Sequence, residues 1–172
     1  MTGEERRNRI LSTLMEQAAP LSGTALANEF HVSRQVIVQD IALMRAENHD
    51  ILSTNRGYLY RRPEQQSSMP KRVFFVRHTD AQVLEEFMTI IELGGKILDV
   101  VVEHEIYGQI RVDLLIESDR DAREFHEKMK NSNDNPLMIL TGDCHYHTVA
   151  APSEKLLDLI EQEFRAKGYL ER

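Results

Sequence analysis

Residues 72–95 run Arg72-Val73-Phe74-Phe75-Val76-Arg77-His78-Thr79-Asp80-Ala81-Gln82-Val83-Leu84-Glu85-Glu86-Phe87-Met88-Thr89-Ile90-Ile91-Glu92-Leu93-Gly94-Gly95. The stretch from Arg72 to His78 is rich in β-branched and aromatic residues and reads as a strand. Asp80 to Leu93 reads as a helix, with Asp80 as N-cap and the glycine pair as its stop.

Downstream, Lys96 to Glu103 and Gln109 to Glu117 read as two further strands. They are joined by a short turn, His104-Glu105-Ile106-Tyr107-Gly108. Asp119 to about Lys130 is a helix, 131–136 a loop, and Leu137 to Leu140 a short extra strand. His145 to Ala150 is the last main strand, and Pro152 with Ser153 opens a closing helix that runs to Gly168. The order βαββαβ plus a helix predicts an α+β, ferredoxin-like domain.

That topology puts the last strand beside the first and antiparallel to it. The end of the first strand then meets the start of the last. His145 and His147 are two residues apart on a strand, so both point to one face. His78 ends the first strand, and the three imidazoles converge. Two acidic residues on the following helix compete to join them. Glu85 shares a stripe with Ala81, Thr89 and Glu92, a solvent face. Glu86 shares one with Gln82, Ile90 and Leu93, at the edge of the buried face. Glu86 is therefore the expected partner. Three His and one Glu form a donor set for one divalent transition metal such as Ni or Zn, at about 2.0–2.2 Å from each nitrogen.

The whole chain has 172 residues and a net charge of −7, which looks wrong for a nucleic-acid binder. The charge is unevenly spread. Residues 1–62 carry eight Arg against seven acids, whereas residues 63–172 carry thirteen Lys and Arg against twenty-one acids. The contrast predicts two domains, 1–62 and 71–172, joined by a polar, proline-bounded linker at 63–70. The single cysteine excludes an internal disulfide. No apolar run is long enough to span a bilayer and no secretory signal is present, so a soluble cytoplasmic protein is expected.

The N-terminal part reads as three helices and a hairpin. Glu4 to Gln17 carries the apolar stripe Ile10, Leu11 and Leu14. A second helix contains Ala25, Leu26, Ala27 and Phe30 behind Ser22 as N-cap. A third runs from Arg34 to about Asn48 behind Ser33. Ile51 to Thr54 and Tyr58 to Tyr60 form a hairpin around Asn55-Arg56-Gly57. This is a winged helix-turn-helix. Ser33, Arg34, Gln35 and Gln39 are the candidates to face the major groove of double-stranded DNA, with Arg56 at the wing tip on the backbone or in the minor groove. Use of the same head for protein contact only is the alternative. The modest charge implies weak non-specific affinity and a homodimer for useful binding.

The words Leu21-Ser22-Gly23-x-x-Leu26-Ala27 and Val32-Ser33-Arg34-Gln35-x-Ile37-x-x-Asp40-Ile41 resemble the DNA-binding head of the biotin-repressor type. That pattern usually carries a glycine after the third helix. Here Asn48 or His49 must take the left-handed cap. Further along stand His78, Glu86-Phe87, Gly94-Gly95, Asp99-Val100-x-Val102-Glu103-His104-x-x-Tyr107-Gly108, and Leu140-Thr141 with His145-x-His147-Thr148. These resemble the 3H domain that follows a winged head in niacin-responsive repressors, the NiaR family. The resemblance implies a bound divalent metal on His78, Glu86, His145 and His147, dimerisation, and niacin-dependent repression of NAD-synthesis or niacin-uptake genes. Two positions depart from the family pattern: Glu105 replaces a frequent Pro, and Asp143 a common Gly.

For the effector, nicotinic acid or a related pyridine carboxylate, His104, Tyr107 and Arg111 are the candidate contacts. A turn histidine bonded to its own backbone is the other reading of His104. Cys144 points away from His145 and is expected as a buried thiol rather than a ligand. The leading expectation is a ligand-responsive repressor and not an enzyme. A metal-sensing regulator is the alternative. A metal-dependent hydrolase with a DNA-binding head is weaker, because no general base remains once the four polar groups hold the ion.

Overall fold

The computed structural model describes residues 1–62 and 68–172; most of the expected linker, 63–67, lies outside the described residues. The chain divides into two units, Met1–Ser67 and Ser68–Arg172.

In the first unit three helices and a hairpin follow one another: α1 (Gly3–Glu16), α2 (Gly23–Phe30), α3 (Arg34–Ala46), β1 (Ile51–Thr54) and β2 (Gly57–Tyr60). Each helix starts on a hydroxyl cap. Thr2 and Glu5 form a reciprocal capping box, while Ser22 and Ser33 accept from Ala25 N and Val36 N. Such caps each stabilise by about 1 kcal/mol. Asn48 takes the left-handed conformation after α3, with φ 68°, as the missing glycine required. Ile10, Leu14, Leu26, Phe30, Ile37, Ile41 and Met44 fill the core between the helices. Asp40 is buried beside them and is held by Arg6 at 2.6 Å, which ties α3 to α1.

The hairpin differs from expectation by one residue, since Gly57 opens β2 instead of closing the turn. Its φ is 130°, and a Cβ there would lie 2.3 Å from Leu21 O. Leu21 and Tyr58 exchange backbone hydrogen bonds at 2.9 and 2.8 Å, so the strand leading into α2 crosses directly over Gly57.

The second unit comprises β3 (Lys71–Arg77), α4 (Val83–Glu92), β4 (Lys96–His104), β5 (Gly108–Ile116), α5 (Asp119–Asn131), β6 (Cys144–Ala150) and α6 (Glu154–Lys167). The class and the element order are as expected. Three details are not. Asp80 does not cap the long helix. Thr79 precedes a 3-10 turn, Asp80–Gln82, and the α-helix follows it. Leu137–Thr141 is a 3-10 helix and not a strand. Pro136 sets its entry, Gly142 closes it in the left-handed region, and Thr141 Oγ1 turns back onto the Met138 and Cys144 carbonyls. α6 begins one residue later than Ser153, which is its N-cap, so Pro152 lies before the helix.

The strand order is β5-β4-β6-β3, with every pairing antiparallel. A ferredoxin-like sheet has its first and third strands inside. Here β4 and β6, the second and last, form the inner pair. β6 pairs with β3 as expected, Phe74 opposite His147 and Val76 opposite His145. The contact with β4 is specified by a bulge between Ile97 and Asp99, where the ladder to β6 also shifts register. At that gap Asp99 Oδ1 accepts the Thr148 N–H at 2.8 Å, a side chain standing in for a backbone acceptor.

The three helices cover one face of the sheet. Phe74, Val76, Phe87, Ile90, Ile97, Leu114, Ile116, Leu157, Ile160 and Phe164 make the core. Each such side chain contributes about 1.5–3 kcal/mol by leaving water. Gly95 has to be small, because a Cβ there would meet Ile90 Cγ2 at 2.7 Å. On the opposite face Phe75 stacks on Tyr146 at 4.5 Å, so only the first half of the Phe74-Phe75 pair belongs to this core.

Candidate metal centre and nucleic-acid interface

His78 follows β3, Glu86 lies in the first turns of α4, and His145 and His147 lie on the inner face of β6. All four are buried, Glu86 completely. The ligand atoms of His78, Glu86 and His145 lie within 4.8 Å of one another. His78 Nε2 is 2.7 Å from Glu86 Oε2, His145 Nε2 is 3.8 Å from the same oxygen, and His147 Nε2 is 3.4 Å from Oε1. These spacings bracket the ~3–3.5 Å between neighbouring donors that each lie about 2.0–2.2 Å from one ion.

The other ring nitrogens face backbone carbonyls. His78 Nδ1 is 2.9 Å from Thr79 O, His145 Nδ1 3.1 Å from Asp143 O, and His147 Nδ1 2.6 Å from Asp99 O. A carbonyl can only accept, so each Nδ1 carries a proton, which leaves Nε2 as the atom that meets Glu86. In the metal-free site His78 Nε2 donates to Glu86 Oε2 at 2.7 Å, and a bound metal would take that proton's place. The three Nε2 atoms converge on the Glu86 carboxylate. Glu86 Oε1 is buried and has no hydrogen bond, its contact with His147 lying outside hydrogen-bonding geometry. An orphaned, buried carboxylate oxygen among imidazoles whose outer nitrogens are already held fits a divalent metal, with His78, Glu86 and His145 as the closest group.

Without a metal, the carboxylate and the imidazoles stabilise one another's charged forms. Burial pushes the Glu86 pKa up, but the charge of His147 and the close approach of all three imidazoles outweigh it and hold the carboxyl well below its usual range. Burial pulls His78 and His147 down, and the nearby Glu86 carboxylate more than restores both, so they end raised. For His145 burial wins, and its pKa falls.

Two supports went unread in the sequence. Asp99 is almost fully buried. Its carbonyl orients His147, and its carboxylate holds Thr148 N and the Arg111 guanidinium, at 3.1 Å. Asp143 has φ 69°, which a glycine reaches without steric cost, and this conformation aims its carbonyl at His145. The departure from glycine is thus accommodated by a residue tolerant of the left-handed region.

The effector candidates are not brought together with the ligands. His104 Nδ1 accepts from Ile106 N and Tyr107 N, both at 3.2 Å, and its ring stacks on Tyr107. It is thus a turn histidine bonded to its own backbone. Tyr107 is 78% exposed. Arg111 lies on the outer face of β5 and pairs with Asp99 and Asp113. Cys144 is half-buried, on the face opposite His145, rather than fully enclosed. His126 on α5 is partly buried, with its Nδ1 enclosed.

In the first unit Arg34, Gln35 and Gln39 are exposed on α3, and Arg56 is exposed at the hairpin turn. Arg34 lies close to Gly23, where a Cβ would sit 3.4 Å from its Nε. Ser33 is exposed, but its oxygen is engaged as the N-cap of α3. Val38, 43% exposed on the same helix face, was not among the expected contacts. An exposed valine between two glutamines suits a thymine methyl.

A winged helix-turn-helix followed by a metal-competent α+β domain defines a regulator of transcription. Residues 6–59 match the HTH domain family and residues 71–172 the 3H domain family. The chain is 38% identical over 167 residues to the probable transcription repressor NiaR of Thermotoga maritima, covering 97% of this chain and 94% of that protein. It is 34% identical over 171 residues to the transcription repressor NadR of Bacillus subtilis, covering 99% and 95%. The chain belongs to the NiaR/NadR family of transcription repressors. Both relatives are repressors and not enzymes, in line with the expectation from the site. Among the described residues no helix is long and apolar enough to cross a membrane.

Proposed function

We propose that this chain is a cytoplasmic, homodimeric repressor of NAD-biosynthesis or niacin-uptake genes, with nicotinic acid as co-repressor. In this reading His78, Glu86, His145 and His147 hold one divalent transition metal per chain, Ni or Zn. The observation that carries the metal part is the convergence of three Nε2 atoms on a wholly buried carboxylate, each imidazole fixed by a backbone carbonyl. A bound metal would replace the imidazole protons as the positive partner of Glu86 and would offer a position for a carboxylate or a pyridine nitrogen. The niacin part is supported by the family, whose Thermotoga maritima member is named NiaR.

Ser33, Arg34, Gln35 and Gln39 are the proposed contacts to the major groove, and Arg56 the wing contact. In a dimer the two recognition helices meet half-sites about 34 Å apart or a multiple of it. His104, Tyr107 and Arg111 are the proposed effector contacts. A ligand carboxylate on Arg111 would compete with Asp113 and Asp99 for its guanidinium, and the carbonyl of Asp99 orients His147. That gives the effector a physical route to the ligand strand, and co-repression requires the ligand to favour one dimer geometry over another.

Electrophoretic mobility shift on promoter fragments of NAD-synthesis and niacin-uptake genes from the source genome tests this reading. Nicotinate should lower the protein concentration needed for retention, and nicotinamide should not. No effect at millimolar nicotinate, or an equal effect of both compounds, would overturn the effector assignment.

A further inference from the structure

The last residues of the chain return to the metal centre. After Gly168 closes α6, Leu170 forms an isolated antiparallel bridge with Val76 on the outer edge of β3. Arg77 N donates to Tyr169 O at 2.8 Å, and Glu171 N donates to Phe75 O at 2.9 Å. This short segment covers an edge that would otherwise present unpaired backbone groups. It also delivers Tyr169, which is only 2% exposed, onto the centre. The Tyr169 ring lies 5.3 Å from the His78 ring. Its hydroxyl donates to Glu85 Oε2 at 2.6 Å, and Lys167 Nζ holds the other Glu85 oxygen at 2.7 Å.

Tyr169 therefore contacts the chain at the residue before each of two ligands. Its backbone holds Arg77, the residue before His78. Its hydroxyl holds Glu85, the residue before Glu86. The ring spans the two. We propose that Tyr169 is a positioning residue for the metal, a clasp that fixes the separation of His78 and Glu86 by tying the end of β3 to the first turn of α4. This rests on the metal reading above and adds to it a residue that touches no ion.

The argument is one of supporting contacts. A metal centre needs ligands held in one geometry by groups that do not themselves bind, and loss of such a partner weakens metal affinity by about 10–100-fold. Backbone carbonyls already fix the rotation of each imidazole. The distance between a strand end and a helix start is fixed by nothing in the ligand set except the ligands themselves. Tyr169 supplies that brace. Glu85, which the helix face assigned to solvent, becomes its anchor.

The test uses the full-length chain and Co2+ as the probe, with dissociation constants from competition against a chromogenic chelator. Tyr169→Phe keeps the ring and removes only the hydroxyl bond. It should weaken Co2+ binding by about 10–100-fold and alter the visible absorption of the bound ion, with the urea midpoint of the chelator-treated protein little changed. Lys167→Gln removes the ion pair to Glu85 but leaves the clasp, and should bind Co2+ as the wild type does, with the same absorption. If Tyr169→Phe matches the wild type in affinity and absorption, the clasp is refuted while the metal centre stands. If the wild type itself takes up no ion, the metal reading fails and the clasp with it. Equal weakening by both variants would assign the effect to the charge on Glu85 and likewise overturn the role of Tyr169.

Discussion

Glu86 shows what a single residue can reveal. Helical spacing alone separated it from Glu85, because one stripe carried Ile90 and Leu93 and the other Glu92. The structure buries Glu86 completely and surrounds it with three imidazoles. The same spacing rightly left Glu85 at the surface, where its side chain is 53% exposed, but could not show its partners Lys167 and Tyr169, which arrive from more than 80 positions away. Asp99 escaped for a related reason. An aspartate in the run Ile97-Leu98-Asp99-Val100-Val101-Val102 looks like an edge residue until the bulge puts its carboxylate against Thr148 N. Long-range contacts of this kind leave no periodic trace. The depressed Glu86 pKa has a consequence for stability. In metal-free protein the unfolded carboxyl takes up a proton near its ordinary value of 4.5, while the folded one does so only well below it. The unfolded state thus binds more protons as pH falls through that window, and the stabilisation present above it is lost. The stability difference between wild type and Glu86→Gln, from urea melts with chelator present, should narrow as the pH is lowered through about 4.5. A difference that stays constant or widens would contradict the charge state assigned here.

At the scale of elements, the winged head was legible almost throughout. Its helices are short and bounded by Thr2, Ser22 and Ser33, and its apolar spacings are unambiguous, so local rules decide the outcome. The segment 137–140 was not, because four apolar residues suit a strand or a tight helix equally. Pro136 and the Gly142-Asp143 pair settle it, through backbone angles that a short apolar pattern does not report. Function divides along the same lines within α3. Arg34 is exposed and caps nothing, whereas Ser33 holds the first turn. Arg34→Ala should reduce operator binding at least tenfold in a fluorescence anisotropy titration, about 1.4 kcal/mol or more, with an unchanged unfolding midpoint. Ser33→Ala should instead cost about 1 kcal/mol of stability. Operator binding by Arg34→Ala at wild-type strength would remove that residue from the interface.

For the whole molecule, the charge contrast between the two parts of the chain suggested two units with different roles. The family matches, at 6–59 and 71–172, place a DNA-binding unit before a 3H domain. The element order of the second unit was readable and its strand order was not. The order βαββαβ is compatible with more than one antiparallel sheet, and the choice turns on the Asp99 bulge and on the segment that covers the β3 edge. Bringing β6 inside makes the histidine strand a central one, so the site is more deeply enclosed than an edge placement would allow. The account depends most on the claim that these four side chains hold a metal. The direct measurement is the metal content of the purified chain after loading with Ni2+ or Zn2+ and gel filtration, beside the double variant His145→Ala/His147→Ala. About one ion per wild-type chain and none in the folded variant is the expected result. A wild type that elutes without metal, or a variant that keeps a full equivalent, would contradict it.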